Sequence, residues 1–138
     1  MTRDDRQKRP AGEPAVRTLA MPRDTNGLGD IFGGWLMSHA DIAGSIRAYR
    51  RAGGKVVTVA VDTFSFLQPV YVGDVVSFFS RVDSVGRTSL KVSVDVYAER
   101  PGPEPTREIK VAEAGITYVH IGDDRRPRVV PDQDSFES

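Results

Sequence analysis

The chain has 138 residues, the length of a single domain, and at that size about two-thirds of the surface exposed by the unfolded chain can be buried without covalent staples. It contains no cysteine, which excludes disulfides, thiolate metal sites and a cysteine nucleophile and fits a reducing compartment. Its 19 basic and 19 acidic residues cancel, so no overall charge draws it to nucleic acid or an anionic membrane, and an anionic ligand must be met by a local patch.

Residues Met1–Pro14 are polar and lack the apolar run of a signal peptide. They predict a disordered arm over 1–14, followed by one domain over 15–131 and a flexible tail over 132–138. No stretch approaches the ~20 apolar residues of a membrane span, so a soluble, cytoplasmic protein is expected. Val16, Thr18 and Ala20 alternate with their neighbours and predict a short first strand ending at Pro22. The segment Asn26–Gly34 is too glycine-rich for a regular element and too apolar for a solvent loop. From Trp35 the period becomes helical. Trp35, Ile42, Ile46 and Tyr49 share one stripe, with Leu36, Ala40 and Ala43 beside it, and Gly53-Gly54 ends the helix near Arg51. A helix so apolar and so rich in small residues predicts a helix wrapped by a sheet.

The remainder reads as strands. Val57, Val59 and Val61 alternate with polar or small residues, and 74–85 is dominated by β-branched and aromatic side chains. Ser89–Val96 has a clean period of two. Gly86-Arg87 predicts a hairpin turn. The proline-bearing stretch 100–107 predicts a loop, and 109–121 a final long strand. Short links make the strands antiparallel neighbours. The α+β layout leaves open sheet edges, which invite pairing with a second copy.

Several chemistries lack their residues. The two histidines, His39 and His120, are far apart, so a zinc site would need carboxylates around both, and no metal site is expected. There is no Gly-x-Ser-x-Gly elbow, Walker A loop or Gly-x-Gly-x-x-Gly fingerprint. What remains is Asp41 inside the apolar helix. A mid-helix aspartate most often faces solvent, but the neighbours Leu36, Met37, Ala40, Ile42 and Ala43 leave little polar face for it. Gly33-Gly34 opens the helix, where the first N–H groups have no intrahelical partner and could stabilise an oxyanion. Close packing of helix on sheet explains the same glycines, and the two roles are compatible. Asn26 beside Gly27 reads as a turn residue or as an amide that orients water or a carbonyl. Phe64, Phe66, Leu67 and Val70 read as core, with Phe66 a candidate for an acyl pocket. Arg87 and the run Arg125-Arg126-Pro127-Arg128 read as solvated surface or as phosphate partners.

Together these segments resemble a known family. Thr18-Leu-Ala-Met-Pro22, Asp24-Thr-Asn26, Gly29-Asp-Ile-Phe-Gly-Gly-Trp35 and Met37-Ser38 followed by Asp41 are similar to bacterial acyl-CoA thioesterases of the YciA type. Val56–Asp62, Phe66-Leu67, Pro69-Val70, Val72–Val76, Gly86-Arg87-Thr88-Ser89 and the final strand continue the match, which spans 17–131. The resemblance implies a hotdog fold: a curved antiparallel sheet around one long helix, in a dimer that often assembles into a trimer of dimers. It implies hydrolysis of acyl-CoA to CoA and a carboxylic acid with no metal and no cofactor. Asp41 would be catalytic as general base or nucleophile, assisted by Asn26 from the other subunit and by the N–H groups of Gly33 and Gly34. Substrate binding would fall to Phe66, to Gly86, Arg87, Thr88 and Ser89 near the pantetheine and phosphates, and to Arg125 and Arg126. Leu28 and His39 depart from the family's usual residues, neither at a catalytic position. Two alternatives use the same fold. A non-catalytic acyl-CoA sensor would not need Asp41 and Asn26. A dehydratase would need a histidine near the helix, and His39 points about 200° away from Asp41 around the helix axis.

Overall fold

A computed structural model describes residues 9–102 and 107–133. Residues 1–8 of the expected arm, 103–106 of the proline-bearing loop and 134–138 of the expected tail lie outside the described residues. The elements are β1 (Val16–Leu19), a 3-10 turn (Pro22–Asp24), α1 (Gly33–Ala52), β2 (Val56–Phe66), β3 (Val75–Val85), β4 (Ser89–Arg100) and β5 (Arg107–His120). The strands form one sheet in the order β1-β3-β4-β5-β2, every neighbour antiparallel. This is the α+β arrangement expected: one long helix on a five-stranded antiparallel sheet. The strands at 100–107 run further than the prolines suggest, and Arg100 and Arg107 still pair across the ladder.

Alternation builds the core. On β4, Leu90, Val92, Val94, Val96 and Ala98 point to the helix and are buried. On the opposite face Arg81, Asp83, Asp95, Lys110 and Glu113 form ion pairs. A register shift at Val96/Tyr97 interrupts the β4–β5 ladder. Beside it the Val111 carbonyl accepts the N–H groups of Leu67 (2.8 Å) and Gln68 (3.3 Å). That bulge pins the corner at which β2 ends.

The buried stripe of α1 is the one beside the Trp35–Tyr49 stripe. Leu36, Ala40, Ala43, Gly44, Ala48 and Ala52 face the sheet, while Ile42 and Tyr49 are 49% and 46% exposed. Small residues let helix and sheet approach closely, so packing selects them over the larger apolar ones. The helix stops at Gly53, whose φ of 74° is left-handed and whose N–H closes onto the Tyr49 carbonyl at 2.8 Å. The edge strand β2 adds Val59 and Val61 to the exposed apolar side chains. Among the described residues, no helix is long and apolar enough to cross a membrane.

Candidate active site

Asp41 is half-buried in the middle of α1, where its carboxylate meets a cross-strand pair. Thr58 on β2 and Tyr118 on β5 are direct register partners, and both donate to one carboxylate oxygen. The Thr58 hydroxyl lies 2.6 Å from Asp41 Oδ1 and the Tyr118 hydroxyl 3.0 Å from the same atom. Tyr118 also lies 2.8 Å from the Asp41 main-chain carbonyl. The approach depends on Gly44, one turn further along the same helix face: a Cβ there would overlap the Tyr118 hydroxyl. Oδ2 has no hydrogen bond among the described residues. Burial, and then the Asp41 carboxylate, push the Tyr118 phenol well above the ordinary tyrosine range, so at neutral pH it is a donor. Nothing in an alternating strand distinguishes Thr58, and nothing in an apolar strand distinguishes Tyr118. The one signal for this contact is a glycine, Gly44, inside a helix, where it costs about 1 kcal/mol against alanine.

Asn26 sits elsewhere. Its Oδ1 accepts the N–H groups of Leu28 (2.8 Å) and Asp30 (3.2 Å), closing the turn before the helix. It lines a cleft of about 320 Å³ together with Gly33, Leu36, Phe66, Gln68 and Val70. Gly33 begins α1, and the first helix-end bonds run from Trp35 and Leu36 to the Phe32 carbonyl at 3.1 and 3.5 Å. The N–H groups of Gly33 and Gly34 therefore precede the intrahelical ladder. Phe66 lies across Gly33, and its ring Cζ would be 2.9 Å from a Cβ on that residue. Phe66 and Leu67 are exposed in this cleft rather than core, whereas Val70 is buried.

Gly86, Arg87, Thr88 and Ser89 form the β3–β4 hairpin, closed by the Gly86 N–H on the Ser89 carbonyl at 2.8 Å. The returning C-terminal segment lies against it, with the Val130 N–H 2.8 Å from the Arg87 carbonyl. Arg125 and Arg126 lie in the turn that opens this segment, and Arg125 takes a left-handed φ of 64°. Arg87, Arg125 and Arg126 are exposed and share this end of the sheet.

The candidates thus divide into two groups. Asp41, Thr58 and Tyr118 lie toward the hairpin end, since Tyr118 also pairs with Leu90, next to Ser89. Asn26, Gly33, Gly34 and Phe66 lie at the other end. Gly33 and Asp41 are eight residues apart on one helix, about 12 Å along its axis, too far to serve one carbonyl group within a single chain. His39 belongs to neither group. Its Nδ1 lies 2.9 Å from the Trp35 carbonyl and its ring stacks on Phe78 at 5.7 Å, on the face toward β3. Among the described residues no three His, Asp or Glu side chains converge as a metal site needs.

Residues 28–104 match the family model described as the thioesterase superfamily. The chain is 48% identical over 125 residues to the acyl-CoA thioester hydrolase YciA of Salmonella typhimurium, covering 90% of this chain and 94% of that relative. The chain belongs to the YciA-type acyl-CoA thioester hydrolases of the thioesterase superfamily. Solved structures agree on the fold. A hexameric hotdog-fold thioesterase of Campylobacter jejuni superposes with a TM-score of 0.85 at 41% identity, covering 89% of this chain and 93% of the other. A hexameric broad-specificity acyl-coenzyme A thioesterase, solved as an aspartate-to-alanine mutant enzyme, gives 0.85 at 42% identity, with 91% of each chain covered. The hotdog fold of this YciA-type chain is thereby established, and its elements carry the two groups of side chains just described.

Proposed function

We propose that the protein hydrolyses acyl-CoA to free CoA and a carboxylic acid in a site shared by two copies of the chain. Asp41, with Thr58 and Tyr118, comes from one copy. Asn26 and the N–H groups of Gly33 and Gly34 come from the other. The observation that carries this reading is the Asp41 carboxylate, held by two donors on one oxygen with the other left for chemistry. The ~12 Å between Gly33 and Asp41 along one helix supports the sharing, as do the exposed apolar residues of β2 and α1 and the hexameric state named for the related thioesterases. Dimers grouped as a hexamer, a trimer of dimers, are part of the proposal.

The thioester carbonyl oxygen accepts the helix-end N–H groups, which stabilise it as it becomes an oxyanion. Asp41 Oδ2 takes a proton from water as the water oxygen attacks the carbonyl carbon. Alternatively it attacks directly, giving a mixed anhydride that water then hydrolyses to restore the carboxylate. On either route the C–S bond breaks and CoA leaves as a thiolate, a good leaving group that needs no strong general acid. The Asn26 amide orients the water or the carbonyl. Arg87, Arg125 and Arg126 meet the CoA phosphates, and Gly86, Thr88 and Ser89 border the pantetheine. Phe66 lines the acyl end. No metal or cofactor enters this sequence of steps, and a cytoplasmic setting is proposed with it.

Release of free thiol from acetyl- through palmitoyl-CoA tests the reading. Wild-type protein is expected to turn over, and Asp41→Asn to lose about 100-fold or more, the scale of a lost general base. Wild-type binding without thiol release would make the protein an acyl-CoA sensor, and an active Asp41→Asn variant would end the role given to Asp41.

A further inference from the structure

Which atom of Asp41 reacts is decided by its neighbours, and the two donors are not equivalent. Thr58 lies on the edge strand β2, and its hydroxyl meets Asp41 at Oδ1 alone. Tyr118 is 0% exposed and belongs to the main hydrophobic core, so its hydroxyl is placed by packing of the whole ring. Gly44 leaves the notch that the hydroxyl fills. From there the oxygen reaches both the main-chain carbonyl and Oδ1 of the same aspartate. It thereby fixes the side chain relative to its own backbone. We propose that Tyr118 is a positioning residue that locks the Asp41 carboxylate so that Oδ2 faces the substrate. This inference rests on the reading of Asp41 given above.

The phenol has one proton and two acceptors within reach, both on Asp41, and both contacts hold the hydroxyl in the same notch. Burial and the adjacent carboxylate keep it protonated across the neutral range, so it serves as a donor. Its contribution is geometric. A misplacement of about 1 Å at a reacting group costs up to about 100-fold in rate, whereas contacts to the rest of acyl-CoA are untouched. The effect therefore falls on kcat and not on KM.

The test is a double-mutant cycle on the full-length protein, with thiol release as readout. Tyr118→Phe keeps the ring and removes the hydroxyl, and its kcat is expected to fall about 10-fold or more with KM unchanged. In the Asp41→Asn background, Tyr118→Phe is expected to cost nothing further, because its effect passes through Asp41. Gly44→Ala, whose Cβ would displace the Tyr118 hydroxyl and its buried ring, should lower kcat as well, and a thermal melt of each variant shows whether it is folded. A wild-type kcat in either folded variant overturns the inference, as does an equal loss from Tyr118→Phe with and without Asp41. A fully active Asp41→Asn overturns instead the reading on which the inference rests, and the two failures are separable.

Discussion

Arg100 at the end of β4 reaches Asp74 at the entry to β3, with its Nε 3.1 Å from the Asp74 carboxylate, and the pair braces the wall of the Asn26 cleft. Asp74 is 2% exposed and also accepts the Tyr71 N–H at 3.0 Å. The same guanidinium donates to the Pro69 carbonyl at 2.6 Å and stacks over the Tyr71 ring at 4.7 Å. One side chain thus holds the segment from Pro69 to Asp74, which carries Val70 into the cleft.

Removing Arg100 leaves a buried carboxylate without its counter-charge. Arg100→Ala is expected to destabilise the fold by about 3 kcal/mol, read as a lower urea midpoint at unchanged slope. A change below about 0.5 kcal/mol, the range of ordinary surface substitutions, would show that the pair does not brace the fold.

Phe66 over Gly33 gives a second expectation. A Cβ at Gly33 meets the far end of an exposed ring, which swings aside at little cost. Gly33→Ala should therefore change stability by less than about 0.5 kcal/mol yet raise KM for acyl-CoA several-fold by moving Phe66 out of the cleft. Calorimetry and initial rates on the same preparation check both halves, and unchanged kinetics would remove Phe66 from the acyl end.

Alkaline stability follows from two tyrosines and from Lys110, which, against the opposing effect of burial, Glu113 and Asp95 raise. Burial, then Asp41, raises the Tyr118 phenol, and burial raises that of Tyr97 against an opposing pull from Lys110. An unfolded tyrosine ionises near pH 10. Above that value the unfolded chain holds fewer protons than the folded one, so stability is intact below about pH 10 and falls as pH rises beyond it. Tyr118→Phe should flatten this decline in a denaturant series run between about pH 8 and pH 11. Parallel slopes for the two proteins would contradict the assignment.

The element order was legible because each strand alternates, the helix carries its own period and Gly53 marks its end. The buried face of α1 was legible only in part: Leu36, Ala40 and Ala43 were marked, Gly44 and Ala48 were not. Ile42 and Tyr49 lie on the most apolar stripe, yet close packing on the sheet selects Ala40, Ala43, Gly44 and Ala48. Asp41 stood out because an apolar helix leaves a carboxylate little polar face to occupy. Thr58 and Tyr118 did not, because their contact with Asp41 arises from a register pairing between strands about sixty residues apart, which no local pattern encodes. The separation of Gly33 from Asp41 needed only the helical rise. The resemblance puts both in one site, whereas within one chain Gly33 borders the Asn26 cleft and Asp41 meets the cross-strand pair.

Subunit complementation tests the shared site most directly. Asp41→Asn and Asn26→Ala are each expected to be inactive alone. After the two variants are unfolded together and refolded at equal amounts, half of the pairs are mixed and each mixed pair holds one intact site, so about a quarter of wild-type thiol release should return. No recovery from the mixture, with each refolded variant shown to assemble, would place Asp41 and Asn26 in one chain's site and contradict the account.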